Sequence, residues 1–381
     1  MKAFHTIKPK TSSNSTNTPK SLQGIWITIL VTLSVIFIPL SQAIAAAVKW
    51  HPGHYYELVG QGSKSDSSYL NKVYSELQTH PTLRGVVIRY QWGELEKAKS
   101  DYNFTVVAKR LSEVAAKKKR LIVLIETKST TPDTKQTLVP AYAKSAEYDG
   151  GIYQFKSGQG EGYGTKLWDP QIRDRMIALV QALGKRFNNE PYFEGIGFSE
   201  SAMGRPIKPI TSAQANSYYN NLLSINKALK TSFPNTLSFQ FLNYPRDLLP
   251  TFINTFKQNG SALGNPDVFL EDPGLHFPGT KYAYPGVYTY YPKLSGKIPL
   301  VVQIEKANYL NTRHDNTGFK PSVNQLFNFA RDELQVNYVF WTRTPNYYPK
   351  VLELLNFKAQ KANPSGGLKS VCPSVYSSCV Q

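Results

Sequence analysis

From residue 48 onward, short β-branched apolar runs alternate with stretches whose apolar residues recur at helical spacing, the pattern of an α/β fold with parallel strands. The pattern predicts eight strands, at Val48–Trp50, Gly85–Tyr90, Leu121–Glu126, Gly195–Ser199, Leu237–Leu242, Val268–Leu270, Leu300–Ile304 and Tyr338–Trp341. Each run reads as buried rather than alternating, as expected where helices cover a parallel sheet. Between them, Asp169-Pro170 supplies an N-cap and a first-turn proline. Ile172, Met176, Leu179, Val180, Leu183 and Phe187 then line one helix face. Thr211 with Gln214 and Ser322 with Gln325 read as capping boxes. The stretch from Glu271 to Pro299 is rich in Pro, Gly and Tyr, so the sixth crossover is expected to be largely loop. Eight strand–helix repeats in about 310 residues predict a (β/α)₈ barrel over residues 48–360.

The chain before residue 48 has a different character. Residues 25–40 are almost wholly apolar, Lys2, Lys8, Lys10 and Lys20 precede them without an acid, and Ala-x-Ala sequences follow. This is the layout of a secretory signal over residues 1–47, or of an uncleaved N-terminal anchor, and it implies a secreted or periplasmic protein. The apolar run is short for a span of ~20 residues. The two cysteines, Cys372 and Cys379, lie in the terminal segment 361–381, where an oxidising compartment would pair them. The net charge of +18 admits an anionic partner but equally an evenly solvated surface, and Lys117-Lys118-Lys119-Arg120 sits where cations suit a helix C-terminus. No nucleic-acid motif accompanies the charge.

Chemistry concentrates at the strand ends. Glu200 closes the fourth predicted strand and Glu305 the seventh. A carboxylate at the end of an apolar barrel strand belongs in the pocket, because burying it in the wall is costly. Paired carboxylates on the C-terminal face can act as acid/base and nucleophile in glycoside hydrolysis. Two long loops on that face carry many aromatics: residues 127–168, and the stretch from Gly274 to Tyr291 with His276, Tyr282, Tyr284 and Tyr288. Glu126, ending the third strand, reads as a binding residue or a rim charge. His51, His54 and His276 with Glu126 and Asp272 could be considered as metal ligands, but no HxH or HExxH spacing occurs, so no cofactor or metal is expected.

From Val48 to Phe357 the strand-end motifs resemble clan A of the glycoside hydrolases, the retaining (β/α)₈ enzymes that include families 5, 39 and 42. The similar segments are Gly85–Glu96 followed by Tyr102-Asn103-Phe104, Leu167-Trp168-Asp169-Pro170, and Val339-Phe340-Trp341-Thr342-Arg343. The resemblance implies Glu200 as acid/base and Glu305 as nucleophile, with carboxyls ~5–5.5 Å apart and retention of configuration. It also implies Arg89 supporting the nucleophile, Trp92 opening the cleft and Trp341 under the central sugar. Ser199 stands where the clan usually has an asparagine that bonds the sugar 2-hydroxyl. The tyrosine that often assists the nucleophile stays open among Tyr282, Tyr284 and Tyr288. Glu126, His276 and Tyr288 complete the expected substrate contacts. The substrate class is a β-linked poly- or oligosaccharide. The competing readings are a barrel that binds glycans without cutting them, and a metal-dependent barrel hydrolase or isomerase.

Overall fold

Eight parallel strands close on themselves in the computed structural model, in the order β4-β5-β6-β7-β8-β1-β2-β3. They are β1 (Gly53–Leu58), β2 (Leu83–Gln91), β3 (Arg120–Glu126), β4 (Phe193–Phe198), β5 (Leu237–Phe241), β6 (Ala262–Asn265), β7 (Leu300–Ile304) and β8 (Tyr338–Thr342). The structure describes residues 47–58, 67–130, 137–157, 160–279, 283–311 and 318–381, so the apolar run 25–40 and Tyr282 lie outside the described residues. Ala45–Gln381 make one compact unit. Among the described residues no helix is long and apolar enough to cross a membrane.

Helices α1 (Ser67–Thr79), α2 (Thr105–Ala115), α3 (Pro170–Phe187), α4 (Ser212–Ser232), α5 (Leu249–Asn259), α6 (Val323–Asn328) and α7 (Tyr348–Asn356) follow their strands in turn. Their starts are built as the sequence implies. Asp169 accepts from the backbone N–H of Gln171 and Ile172, and all six residues of the predicted apolar stripe on α3 are buried. The capping boxes at Thr211 and Ser322 are both formed. After β6 there are only the short turns Pro273–His276, Val287–Thr289 and Tyr291–Leu294, matching the expected loop.

Two predicted strands are misplaced. Val48–Lys49 is extended, but it pairs in parallel with Cys379–Val380 outside the barrel, and the first barrel strand is Gly53–Leu58. That strand was hidden by its polar residues: His54 meets the indole of Trp341 on the helix side, while Glu57 meets Arg89 on the inside. The sixth strand is Ala262–Asn265 rather than Val268–Leu270. Its small residues are demanded by packing, since a Cβ on Gly264 would lie 2.7 Å from the Phe241 ring.

Inward and outward residues alternate along every strand. Tyr55, Val87, Ile122, Leu124, Phe239, Val301 and Phe340 fill the barrel, and the outward set packs beneath the helices. Val48, Trp50 and Tyr376 join the inner cluster from below. The Cys372–Cys379 disulfide closes the loop that carries Tyr376. The long segment after β3 forms an antiparallel lobe in the order Arg205–Pro206, Ile152–Ser157, Gly160–Thr165, Lys128–Ser129, which binds the loops after β3 and β4 into one wall.

Candidate active site

Strand polarity decides which residues meet at the mouth. Glu57 on β1, Arg89 on β2, Glu126 on β3 and Gln303 on β7 all point inward at the C-terminal end of their strands. Arg89 joins them: its Nε donates to Glu57 Oε1 (2.6 Å), one terminal nitrogen to Glu126 Oε1 (3.2 Å), and the other to Gln303 Oε1 (3.0 Å). Gln303 passes the contact on, its Nε2 donating to Glu305 Oε2 at 3.4 Å. Arg89 therefore reaches Glu305 through the Gln303 amide, whereas the sequence suggested direct support. Gln91 holds the far oxygen of Glu126 from the neighbouring register position, Nε2 to Oε2 at 3.1 Å.

Glu305 begins the short helix Lys306–Leu310, and its backbone N–H donates to Asn308 Oδ1 (2.8 Å). Asn308 is held in turn by Asp267, to which its amide donates at 3.2 Å. Burial pushes the Glu305 carboxyl up to about 7. The Arg89 charge opposes this, while the charges of Glu57 and Glu200 reinforce it. Glu57 is fully buried, and burial raises it too despite its pairing with Arg89.

Glu200 follows β4 on the same face. Its Oε1 accepts from Asn243 Nδ2 (2.7 Å) and its Oε2 from Lys128 Nζ (2.6 Å). Asn243 is oriented by its own Oδ1, which accepts from the Tyr244 N–H. Ser199 turns away from the cleft: its Oγ accepts the Thr127 backbone N–H at 3.0 Å and tethers the lobe to β4.

The predicted aromatic contacts lie elsewhere. Trp341 is outward-facing and fully buried against His54, with its indole N–H given to His54 Nδ1 (3.0 Å). The inward residue at the top of β8 is Thr342, and a slip of one position exchanges the two faces. Trp92 is also fully buried, donating to Glu96 Oε2 (2.6 Å) and meeting Tyr142 edge-on. Tyr288 is tied to the backbone, its hydroxyl donating to Asp267 O and accepting from the Phe269 N–H. His276 packs on Tyr288 and Phe329 with its Nε2 buried and unbonded. Tyr284 is exposed. Among the described residues no group of three His, Cys, Asp or Glu side chains could hold a metal ion.

The structure thus brings together Arg89, Glu126, Glu200 and Glu305, and adds Glu57, Lys128, Asn243 and Gln303. Gln303 was legible, standing two positions before Glu305 on the same strand face. Glu57 was lost with the misplaced first strand. Lys128 and Asn243 follow the ends of β3 and β5 and become neighbours of Glu200 only when the barrel closes.

Comparison with solved structures places this arrangement among known barrels. The catalytic domain of a β-amylase from Paenibacillus polymyxa superposes with a TM-score of 0.53 at 10% identity, covering 85% of this chain and 96% of that one. A β-galactosidase from the psychrophilic Marinomonas ef1 superposes with a TM-score of 0.51 at 8% identity, covering 76% of this chain and 53% of that one. The chain shares their barrel fold. At this identity the likeness reaches the backbone and stops short of the site. No protein-family model matches the chain, and no curated protein matches it in sequence.

Proposed function

We propose that this protein is an exported retaining glycoside hydrolase that cleaves β-linked poly- or oligosaccharide by double displacement. The observation that carries the reading is that two strand-end carboxyls share one barrel face, Glu305 bonded through Gln303 to Arg89 and Glu200 held by Asn243 and Lys128. In the first step Glu305 attacks the anomeric carbon as Glu200 gives its proton to the leaving oxygen, and the glycosidic C–O bond breaks. In the second, Glu200 takes a proton from water, which displaces Glu305 and releases the sugar with its original configuration. The Arg89–Gln303 relay acts by positioning, presenting an amide N–H to the nucleophile's oxygen while Glu57 and Glu126 hold the guanidinium still.

The engagement of both Glu200 oxygens by Asn243 and Lys128 favours a second reading, a barrel that binds glycans without cutting them. One experiment separates the two. The mature chain, Glu200→Gln and Glu305→Gln are incubated with a panel of β-linked polysaccharides, and reducing ends and product anomers are followed by NMR. The hydrolase reading expects wild-type turnover with retention and losses of about 10³-fold or more in both variants. Glycan binding without cleavage by all three proteins would establish the second reading instead.

A further inference from the structure

Lys128 is set deep beside Glu200 in a manner that calls for a chemical reason. It begins the lobe at the edge strand Lys128–Ser129, two residues beyond Glu126, and its side chain is only 12% exposed. Its ammonium donates to Glu200 Oε2 at 2.6 Å and to the Ala202 carbonyl, and it lies 5.4 Å from the centre of the Phe155 ring. Arg89 does not bond to Glu200; each of its three nitrogens donates elsewhere, to Glu57, Glu126 and Gln303. Lys128 is thus the cation placed at the mouth's acid/base side, within the wall made by the β3 and β4 loops.

This placement conflicts with acid catalysis as it stands. A carboxyl that is to give up a proton must first carry it, and a cation bonded to one of its oxygens favours the charged form over the protonated one. Glu200 accepts at both oxygens, from Asn243 and from Lys128. The other groups that sense its charge, Glu305, Tyr153, Tyr218 and Tyr219, offer no second cation. Of these two donors Lys128 alone carries a charge, and Asn243 is locked by the Tyr244 N–H. Lys128, on a flexible four-carbon stem, is the one able to swing.

We propose that Lys128 is the substrate-selecting residue of this site and that it recognises a carboxylate on the leaving-group sugar, a β-linked uronate. The inference rests on the glycosidase reading, since only there does Glu200's side of the mouth hold the leaving group. Binding transfers the Lys128 ammonium from Glu200 to the uronate, and the vacated Glu200 oxygen takes a proton from solvent. That proton then passes to the glycosidic oxygen as the C–O bond breaks and Glu305 bonds to the anomeric carbon. A neutral glycan offers hydroxyls only and leaves the Lys128–Glu200 pair closed. The acid is therefore armed by the anionic substrate, which makes selectivity a matter of kcat as well as KM.

The test uses β-1,4-oligoglucuronate and its carboxyl-reduced counterpart, a cello-oligosaccharide of the same length. In the Glu305→Gln background, calorimetry should show the uronate bound at least about tenfold more tightly than the neutral chain, the range of one charge-assisted hydrogen bond. Lys128→Met should erase that difference and Lys128→Arg should keep it, which separates lost charge from lost folding. With active wild type, uronate turnover should exceed neutral turnover, and Lys128→Met should bring kcat on the neutral chain up relative to wild type. Equal binding of both oligosaccharides, binding of neither, or a preference that survives Lys128→Met would overturn the proposal. Failure of the glycosidase reading looks different: a Lys128-dependent uronate preference in binding with no cleavage by wild type.

Discussion

The two ends of the barrel each bury a glutamate among cations, and they treat it in opposite ways. At the floor, Glu194 accepts from the His51 backbone N–H (2.7 Å), His51 Nδ1 (2.9 Å), the Tyr338 hydroxyl (2.8 Å) and Arg120 (3.3 Å). Burial alone would raise it, but the hydrogen bonds and charges of His51 and Arg120 outweigh burial and leave it below its ordinary value. At the mouth, Glu305 has one side-chain donor among the described residues, the Gln303 amide at 3.4 Å, and burial wins. Glu57 beside it leaves Oε2 buried and unbonded. A fully satisfied carboxylate is a structural rivet; an under-donated one stores free energy that a reaction can use.

The strongest way to break that comparison is Glu194→Gln. It leaves Arg120 and His51 around a neutral amide in the floor, so unfolding by denaturant should show a loss of about 3–5 kcal/mol. A loss below ~1 kcal/mol would mean that the floor cluster is no rivet. Cutting the Cys372–Cys379 bridge with paired serines probes the same end more gently. The small closed loop implies a cost of about 2 kcal/mol with glycan turnover unaltered, because the disulfide lies at the far end from the site. A change in turnover would show that the two ends are coupled.

The smallest effect carries the sign that distinguishes the mouth. Glu305 has a folded value of about 7, above its ordinary 4.5. Its contribution to stability is fully present below pH ~4.5 and is lost as pH rises to about 7. Glu305→Gln does not titrate and escapes that loss. The Tm of the variant minus that of wild type should therefore be more positive at pH 8 than at pH 4. A difference that does not move with pH would place Glu305 among the satisfied carboxylates.

The sequence carried much of this far. The N-cap at Asp169, the two capping boxes and the stripe on α3 are local signals, and each appears as expected, as do six of the eight predicted strands. Glu200 and Glu305 stood out because a charge at the end of an apolar strand conflicts with its surroundings. Where polar residues occur inside a strand, as with His54 and Glu57, the apolar signal failed and the first strand went with it. The run Lys117–Arg120 shows the reverse error. Read as solvated helix-end charge, it supplies Arg120 to the buried floor network with His51 and Glu194.

By itself, then, the chain determined its element types, their order and the two strand-end glutamates proposed as catalytic, since these depend on spacing along one backbone. Only the closed barrel decided facing and partnership. Whether Trp341 or Thr342 points inward turns on a single register step. Whether Arg89 meets Glu305 directly or through Gln303 depends on distances across the lumen. That Lys128 and Asn243 converge on Glu200 requires β3, β4 and β5 to lie side by side, a contact between residues 43 and 72 positions from it in sequence. Local propensity has no term for such meetings; they are set when the sheet closes and the strands share one register.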